Sequence, residues 1–171
     1  MINLDTAETP KVRLAVREDE DALMEVARQM HPVAALCSAD GKALPLDEDL
    51  VRSELYRALL PPNPHRNELP AWIGVVGSIG DLLGSVYLAM GTEWYSREPI
   101  LVERWLYVRP DSRRSSIAVD LIDFAKKSAA AAGLPLHVGH MTQGREKAKG
   151  RFYRRHFGTP IGASYLHTPT R

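Results

Sequence analysis

Residues 108–125 read VRPDSRRSSIAVDLIDFA. Two cations, Arg113 and Arg114, and two hydroxyls, Ser115 and Ser116, stand between an apolar run, ILVERWLYV (100–108), and the start of a helical pattern. A helix N-terminus presents backbone N–H groups and a partial positive charge, so a turn of small residues flanked by arginines can hold an anion there. The same string also reads as a plain junction, with Pro110 ending a strand and Ser115 or Ser116 capping a helix. Two further residues offer acid–base chemistry. Glu103 is the sole carboxylate within 100–108, and burial would raise its pKa and suit it to accept a proton, although it could equally pair with Arg104 at the surface. Tyr153, in RFYRRHF, carries a phenol proton and, read on its own, is a core ring with its hydroxyl at the rim.

These residues need elements to position them. KVRLAV (11–16) is a short strand, and REDEDALMEVARQMH places Leu23, Val26, Ala27 and Met30 on one face of a helix that Pro32 should end. A second helix spans about Asp47 to Leu60, with Val51, Leu55, Ala58 and Leu59 on one side. PPNPHRNELP is a loop that leaves His65 exposed. Runs 71–77, 82–90 and 100–108 are strands, the first two joined by a hairpin turn at Ser78-Ile79-Gly80-Asp81. Ile117, Leu121, Phe124, Ala125 and Ser128 or Ala129 line a third helix running to about Ala132, which Gly133 stops. LPLHVGHM (134–141) is a strand, 145–157 a basic helix and PIGASYLH (160–167) a last strand. The order β-α-α-β-β-β-α-β-α-β predicts a three-layer α/β domain with a mixed central sheet and helices on both faces. One domain over 11–171 follows a loose leader at 1–10.

Composition narrows the function. With 171 residues, 44% hydrophobic and 25% charged, the chain suits one globular domain with a real core. A net charge of +1 argues against binding nucleic acid by bulk charge. A single cysteine, Cys37, excludes an intramolecular disulfide and a multi-cysteine zinc site, and fits a reducing cytoplasm. His137 and His140, three apart in a strand, make no metal pair, and with His156 and His167 read as ordinary polar positions, so no metal is expected. The sequence holds no apolar run long enough to span a bilayer.

The element order, with strand–P–RRSSIA–helix at its centre, resembles the GNAT acetyltransferase superfamily. The family's Q/R-x-x-G-x-G/A signature is matched at Arg113 and Ala118, while Ser116 stands for the middle glycine. Leu106, Val108, Pro110 and Arg113 fit an L-x-V-x-P-x-x-R lead-in. Tyr153 matches a tyrosine of the later helix, although Phe157-Gly158 reverses the family's Gly-Phe pair, and Glu146 and Lys149 replace its upstream asparagine and alanine. WYSREPILVERWLYVRPDSRRS is similar to phage-encoded members.

The resemblance implies an N-acetyltransferase that moves the acetyl group of acetyl-CoA directly to a primary amine. It implies that Arg113, Arg114, Ser115, Ser116, Ile117 and Ala118 hold the pyrophosphate, with charge from Arg109, Arg113 or Arg114. The pantetheine arm would lie along Leu106, Tyr107 and Val108, where the amides near Tyr107 and Val108 would stabilise the oxyanion. Glu103 would be the general base and Tyr153 the general acid for the departing thiolate. Glu93, Trp94 and Tyr95 suit a cationic amine or, equally, a homodimer contact. A second reading also stands: a non-catalytic module of the same fold, using the cations and aromatics of KAKGRFYRRH for nucleic acid or protein contacts.

Overall fold

The computed structural model describes residues 12–34, 43–60, 69–139 and 146–161. Its elements are β1 (Arg13–Leu14), α1 (Glu20–Ala34), α2 (Glu48–Leu59), β2 (Ala71–Ser78), β3 (Asp81–Thr92), β4 (Pro99–Val108), α3 (Ile117–Ala132), β5 (Leu136–His137) and α4 (Glu146–Phe157). The sheet order is β1-β2-β3-β4-β5. Neighbours from β1 to β4 run antiparallel, and β5 lies parallel to β4.

Alternation along these strands builds a core on each face of the sheet. On one face Ile73, Val75, Tyr87 and Ala89 receive Leu23 and Met24 of α1 and Leu55 and Ala58 of α2. On the other, Val76, Val86, Leu88 and Leu101 receive Ile117, Leu121, Ala125 and Ala129 of α3. Close approach of α3 depends on Gly84, because a Cβ there would lie 2.7 Å from Ile117 Cγ2 and 3.0 Å from the Tyr107 carbonyl oxygen. Helix α4 lies beside α3: Lys126 Nζ donates to the His156 carbonyl at 2.7 Å and sits over the Phe157 ring.

One irregularity in β4 decides what faces what. Leu88 pairs with Glu103 and Tyr87 with Trp105, so Arg104 is an extra residue, a bulge that inverts the side-chain phase of the strand. Before it, Leu101 and Glu103 pair with Met90 and Leu88, on the α3 face. After it, Trp105 packs on the α1–α2 face, while Leu106 and Val108 return to the α3 face.

The three long strands, α2, α3 and α4 fall where the sequence places them. Pro32 does not end the first helix: α1 runs on to Ala34 with the proline inside its last turn. The proline deletes the bond its N–H would make to the Arg28 carbonyl, but the loss falls in the last turn, after which the helix has few bonds left to carry. The strand expected over 11–16 is two residues long, with Leu14 exposed and Ala15 packed on the α1–α2 core. The strand expected over 134–141 is also two residues long. Of the strand expected over 160–167, Pro160 and Ile161 are not in a strand, and the rest lies outside the described residues, as do Cys37, His65, His140, His167 and the 1–10 leader.

Candidate acetyl-transfer site

Glu103 and Tyr153 come from elements 50 residues apart and meet. The bulge at Arg104 leaves Glu103 on the α3–α4 side, and α4 brings Tyr153 over it, so that the phenol hydroxyl donates to the carboxylate at 2.8 Å from each oxygen. Tyr153 is 7% exposed. It is held by the Phe157 ring stacked at 5.8 Å and by the Phe152 ring edge-on at 6.0 Å. Burial raises the Glu103 pKa to about 7, against the opposing pull of the Tyr153 hydrogen bond and the Lys149 charge. The Tyr153 phenol is pushed well above its usual range, by burial first and then by the adjacent carboxylate. A half-buried carboxyl that titrates near neutrality, bonded to a hydroxyl that keeps its proton, can take up and pass on one proton. The surface partnership of Glu103 with Arg104 is not formed, since Arg104 is exposed in the bulge.

Lys149, one helical turn before Tyr153, joins this pair. Its Nζ stands 5.9 Å from the Tyr153 ring centroid. Its pKa is lowered by burial, with the nearby Glu103 charge opposing. In the sequence Lys149 marks a departure from the family pattern without a role attached; its position four residues before Tyr153 on a helix was the available signal.

Among the described residues, nothing pairs with β4 beyond Val102 on its β5 side. Described pairing of β4 with β5 stops at Leu101↔Leu136 and Val102↔His137. The Arg109 N–H donates to the Leu83 carbonyl at 2.8 Å, which by alternation turns the Tyr107 amide towards β3 and the Leu106 and Val108 amides towards the β5 side. Of the amides expected to meet a ligand, that of Val108 is therefore available and that of Tyr107 is not. The Tyr107 side chain lies on the other face, where its hydroxyl bonds to Gln29.

Beyond β4 a short 3₁₀ turn (Pro110–Ser112) leads into α3. Ser115 and Ser116 are exposed at its N-terminus, with Arg113 and Arg114 exposed beside them. Neither serine caps the helix in the expected way. Ser116 holds the N-cap position but donates its hydroxyl to Asp120 at 2.9 Å, and the Ser115 hydroxyl donates to the Ser112 carbonyl at 2.6 Å while accepting weakly from the Ile117 N–H at 3.3 Å. The Arg109 guanidinium is committed to Asp81 at 2.7 Å and Asp111 at 2.9 Å, which leaves Arg113 and Arg114 as the cations of this turn. Arg113 Nε donates to the Val108 carbonyl, tying the turn back to the end of β4. The residues fit a nucleotide pyrophosphate: small exposed side chains, two cations and the start of a 16-residue helix. Ile117 and Ala118 belong to its first turn, where Ile117 is buried and fixes the helix on the sheet.

Among the described residues, no three His, Cys, Asp or Glu side chains lie together as metal ligands, and no helix is long and apolar enough to cross a membrane. Trp94 and Tyr95 are 93% and 72% exposed between β3 and β4, and Glu93 lies 3.4 Å from His137.

No family model and no curated protein matches the sequence. Solved structures do match the fold. An aminoglycoside acetyltransferase, AAC(6')-Iy, in complex with the bisubstrate analog CoA-S-monomethyl-acetylneamine, superposes with a TM-score of 0.64 at 11% identity, over 94% of this chain and 98% of that one. The ribosomal-protein-alanine N-acetyltransferase of Brucella melitensis biovar Abortus 2308 gives 0.61 at 18% identity, over 92% and 96%. The aminoglycoside 6'-N-acetyltransferase AAC(6')-IG of Acinetobacter haemolyticus gives 0.61 at 13%, over 94% and 98%. In strand order, helix placement and overall superposition, the chain has the fold of the GNAT acetyltransferases.

Proposed function

We propose that the protein is an N-acetyltransferase that transfers the acetyl group of acetyl-CoA to a primary amine. The observation that carries this reading is the part-buried Tyr153–Glu103 hydrogen bond beside a stretch of β4 that no described strand pairs with on the β5 side and that leads to a helix N-terminus flanked by arginines. Acetyl-CoA would supply an activated acyl thioester. Ser115, Ser116, Arg113 and Arg114 would hold its pyrophosphate, and the Leu106 and Val108 amides would hold the acyl arm along β4.

Glu103, which titrates near pH 7, accepts a proton from the attacking amine. Tyr153 donates its hydroxyl proton to the departing sulfur and recovers one from the protonated Glu103, because the two groups already share a hydrogen bond. Coupling to the carboxyl resolves an apparent conflict. A phenol with a raised pKa is a reluctant acid beside a carboxylate, but a competent one once that neighbour is protonated and can resupply it.

The aminoglycoside and ribosomal-protein-alanine N-acetyltransferases among the fold neighbours bring two acceptor classes into range, small polyamines and peptide amines. The competing reading, a non-catalytic module that uses α4 for nucleic acid or protein contacts, requires in its nucleic-acid form stacking aromatics on the helix surface. Tyr153 is instead buried and Phe152 half-buried, so only the cations Lys147, Arg151, Arg154 and Arg155 face solvent.

Calorimetry with acetyl-CoA and CoA tests the donor site, with micromolar binding expected. A panel of polyamines, aminoglycosides, amino acids and lysine peptides, read by release of free thiol, tests the reaction. Absence of binding by folded protein overturns both the site and the reaction. Binding without acetylation of any amine leaves a fold relative without catalysis.

A further inference from the structure

Among the described residues, Lys149 is the amine that the fold places in the candidate site. It sits half-buried on α4, with Nζ 5.9 Å from the centre of the Tyr153 ring, one helical turn away from the hydroxyl that bonds Glu103. Among the described residues it has no carboxylate within ion-pair distance, and Glu103 is the charged group that acts on it. The exposed lysine on the same helix, Lys147, has no such surroundings.

We propose that Lys149 is an internal acetyl acceptor, modified on its own Nζ by an acetyl thioester bound along β4. The proposal rests on the acetyltransferase reading above and names an acceptor for the same site. The neutral Nζ lone pair forms the N–C bond to the acyl carbon, and the C–S bond breaks with its electron pair on sulfur. Glu103 takes the proton from Nζ, Tyr153 gives its proton to the thiolate, and Glu103 returns one to Tyr153. The products are N-acetyl-Lys149 and a free thiol. Burial favours the neutral amine that this step requires.

Acetylation would have a consequence at the site. It removes the Lys149 charge, which holds Glu103 down, so the Glu103 pKa rises and fewer carboxylates are ready to accept a proton at neutral pH. The modification would thus damp transfer to external amines.

The test uses the full chain with acetyl-CoA and no added amine, followed by peptide mass mapping. One acetyl group is expected at Lys149 while Lys126, Lys127 and Lys147 stay at the background seen with denatured protein. Glu103→Gln should slow the modification at least about tenfold. A second measurement needs no thioester: trace labelling of all lysines by acetic anhydride across pH should show Lys149 reaching its neutral form at lower pH than Lys147. A labelling rise for Lys149 at no lower pH than for Lys147, or modification unaffected by Glu103→Gln, overturns the proposal. Calorimetry on the same sample separates the two readings. If CoA binds and Lys149 stays unmodified, the internal acceptor is wrong and the acetyltransferase reading survives; if CoA does not bind, both fall.

Discussion

At the scale of single residues, the Glu103–Tyr153 hydrogen bond ties two proton-transfer roles to one another, and substitutions should reveal the coupling. Tyr153→Phe removes a bond that favours the ionised carboxyl, so it should lower turnover by roughly 10- to 10⁴-fold and also move the alkaline rise of the rate to higher pH, with acetyl-CoA affinity nearly unchanged. A pH–rate profile of the variant checks both effects; an unchanged rate would return Tyr153 to a packing role. At the α3 turn, Ser116→Glu should abolish CoA binding measured by calorimetry, because it sets a second carboxylate beside Asp120 where the pyrophosphate would sit. Residue identity was legible here, but contact was not. Glu103 stood out as the lone acid of its strand and Tyr153 by its place in a family pattern, yet nothing in either string says that the two touch, since their meeting depends on how α4 packs beside α3.

At the scale of elements, the bulge in β4 and the glycine in β3 do the positioning. ILVERWLYV has no glycine or proline to announce an inserted residue, and a strict alternation from Leu101 would set Glu103, Trp105 and Tyr107 on one face. Pairing with β3 shows the phase inverted after Arg104, because Trp105 has a T-shaped contact with Tyr87 on the α1–α2 side and its indole N–H bonds to the buried Ser85 hydroxyl. Tertiary partners set that register, and a strand read alone cannot contain them. The long strands and helices were readable because their periodicity is their own, whereas β1 and β5, two residues each, are defined only by what they pair with. Gly84 has a steric role of the same kind. Gly84→Val should destabilise the fold by about 1–3 kcal/mol, since its side chain would meet Ile117 and the Tyr107 carbonyl and push the α3 N-terminus off the sheet. Chemical denaturation measures the loss, and CoA affinity should fall with it, because the anion-binding turn rides on that helix.

At the scale of the whole molecule, one buried and one half-buried carboxyl make the stability depend on pH in opposite senses. Asp19, fully buried, joins the start of the chain to the β2–β3 turn: Arg13 grips it at 2.7 and 2.9 Å, and the N–H groups of Val16 and Gly80 donate to it. Burial opposes its ionisation, but those partners outweigh burial and hold its pKa below the usual carboxylate range. Its contribution is therefore present above about pH 4 and is lost as the pH falls through the lowered folded value. Asp19→Ala should cost about 1–3 kcal/mol, because the Val16 and Gly80 N–H groups and the part-exposed Arg13 guanidinium all lose an acceptor. Glu103 behaves in reverse. Its folded pKa of about 7 lies above the 4.5 of the free side chain, so the folded state binds the extra proton, and the stabilisation is complete below pH 4.5 and gone once the pH passes about 7. The difference is on the order of 3 kcal/mol. Thermal unfolding of the unliganded protein from pH 4.5 to 8 should show the wild type losing stability relative to Glu103→Gln across that window and running parallel to it above. Because the amide introduced by Glu103→Gln still offers an acceptor to the Tyr153 hydroxyl, the variant isolates the charge from the hydrogen bond. A wild-type curve parallel to the variant throughout would mean that Glu103 ionises like an exposed acid, and a carboxyl of that kind would be too weak a base at neutral pH for the role the site gives it.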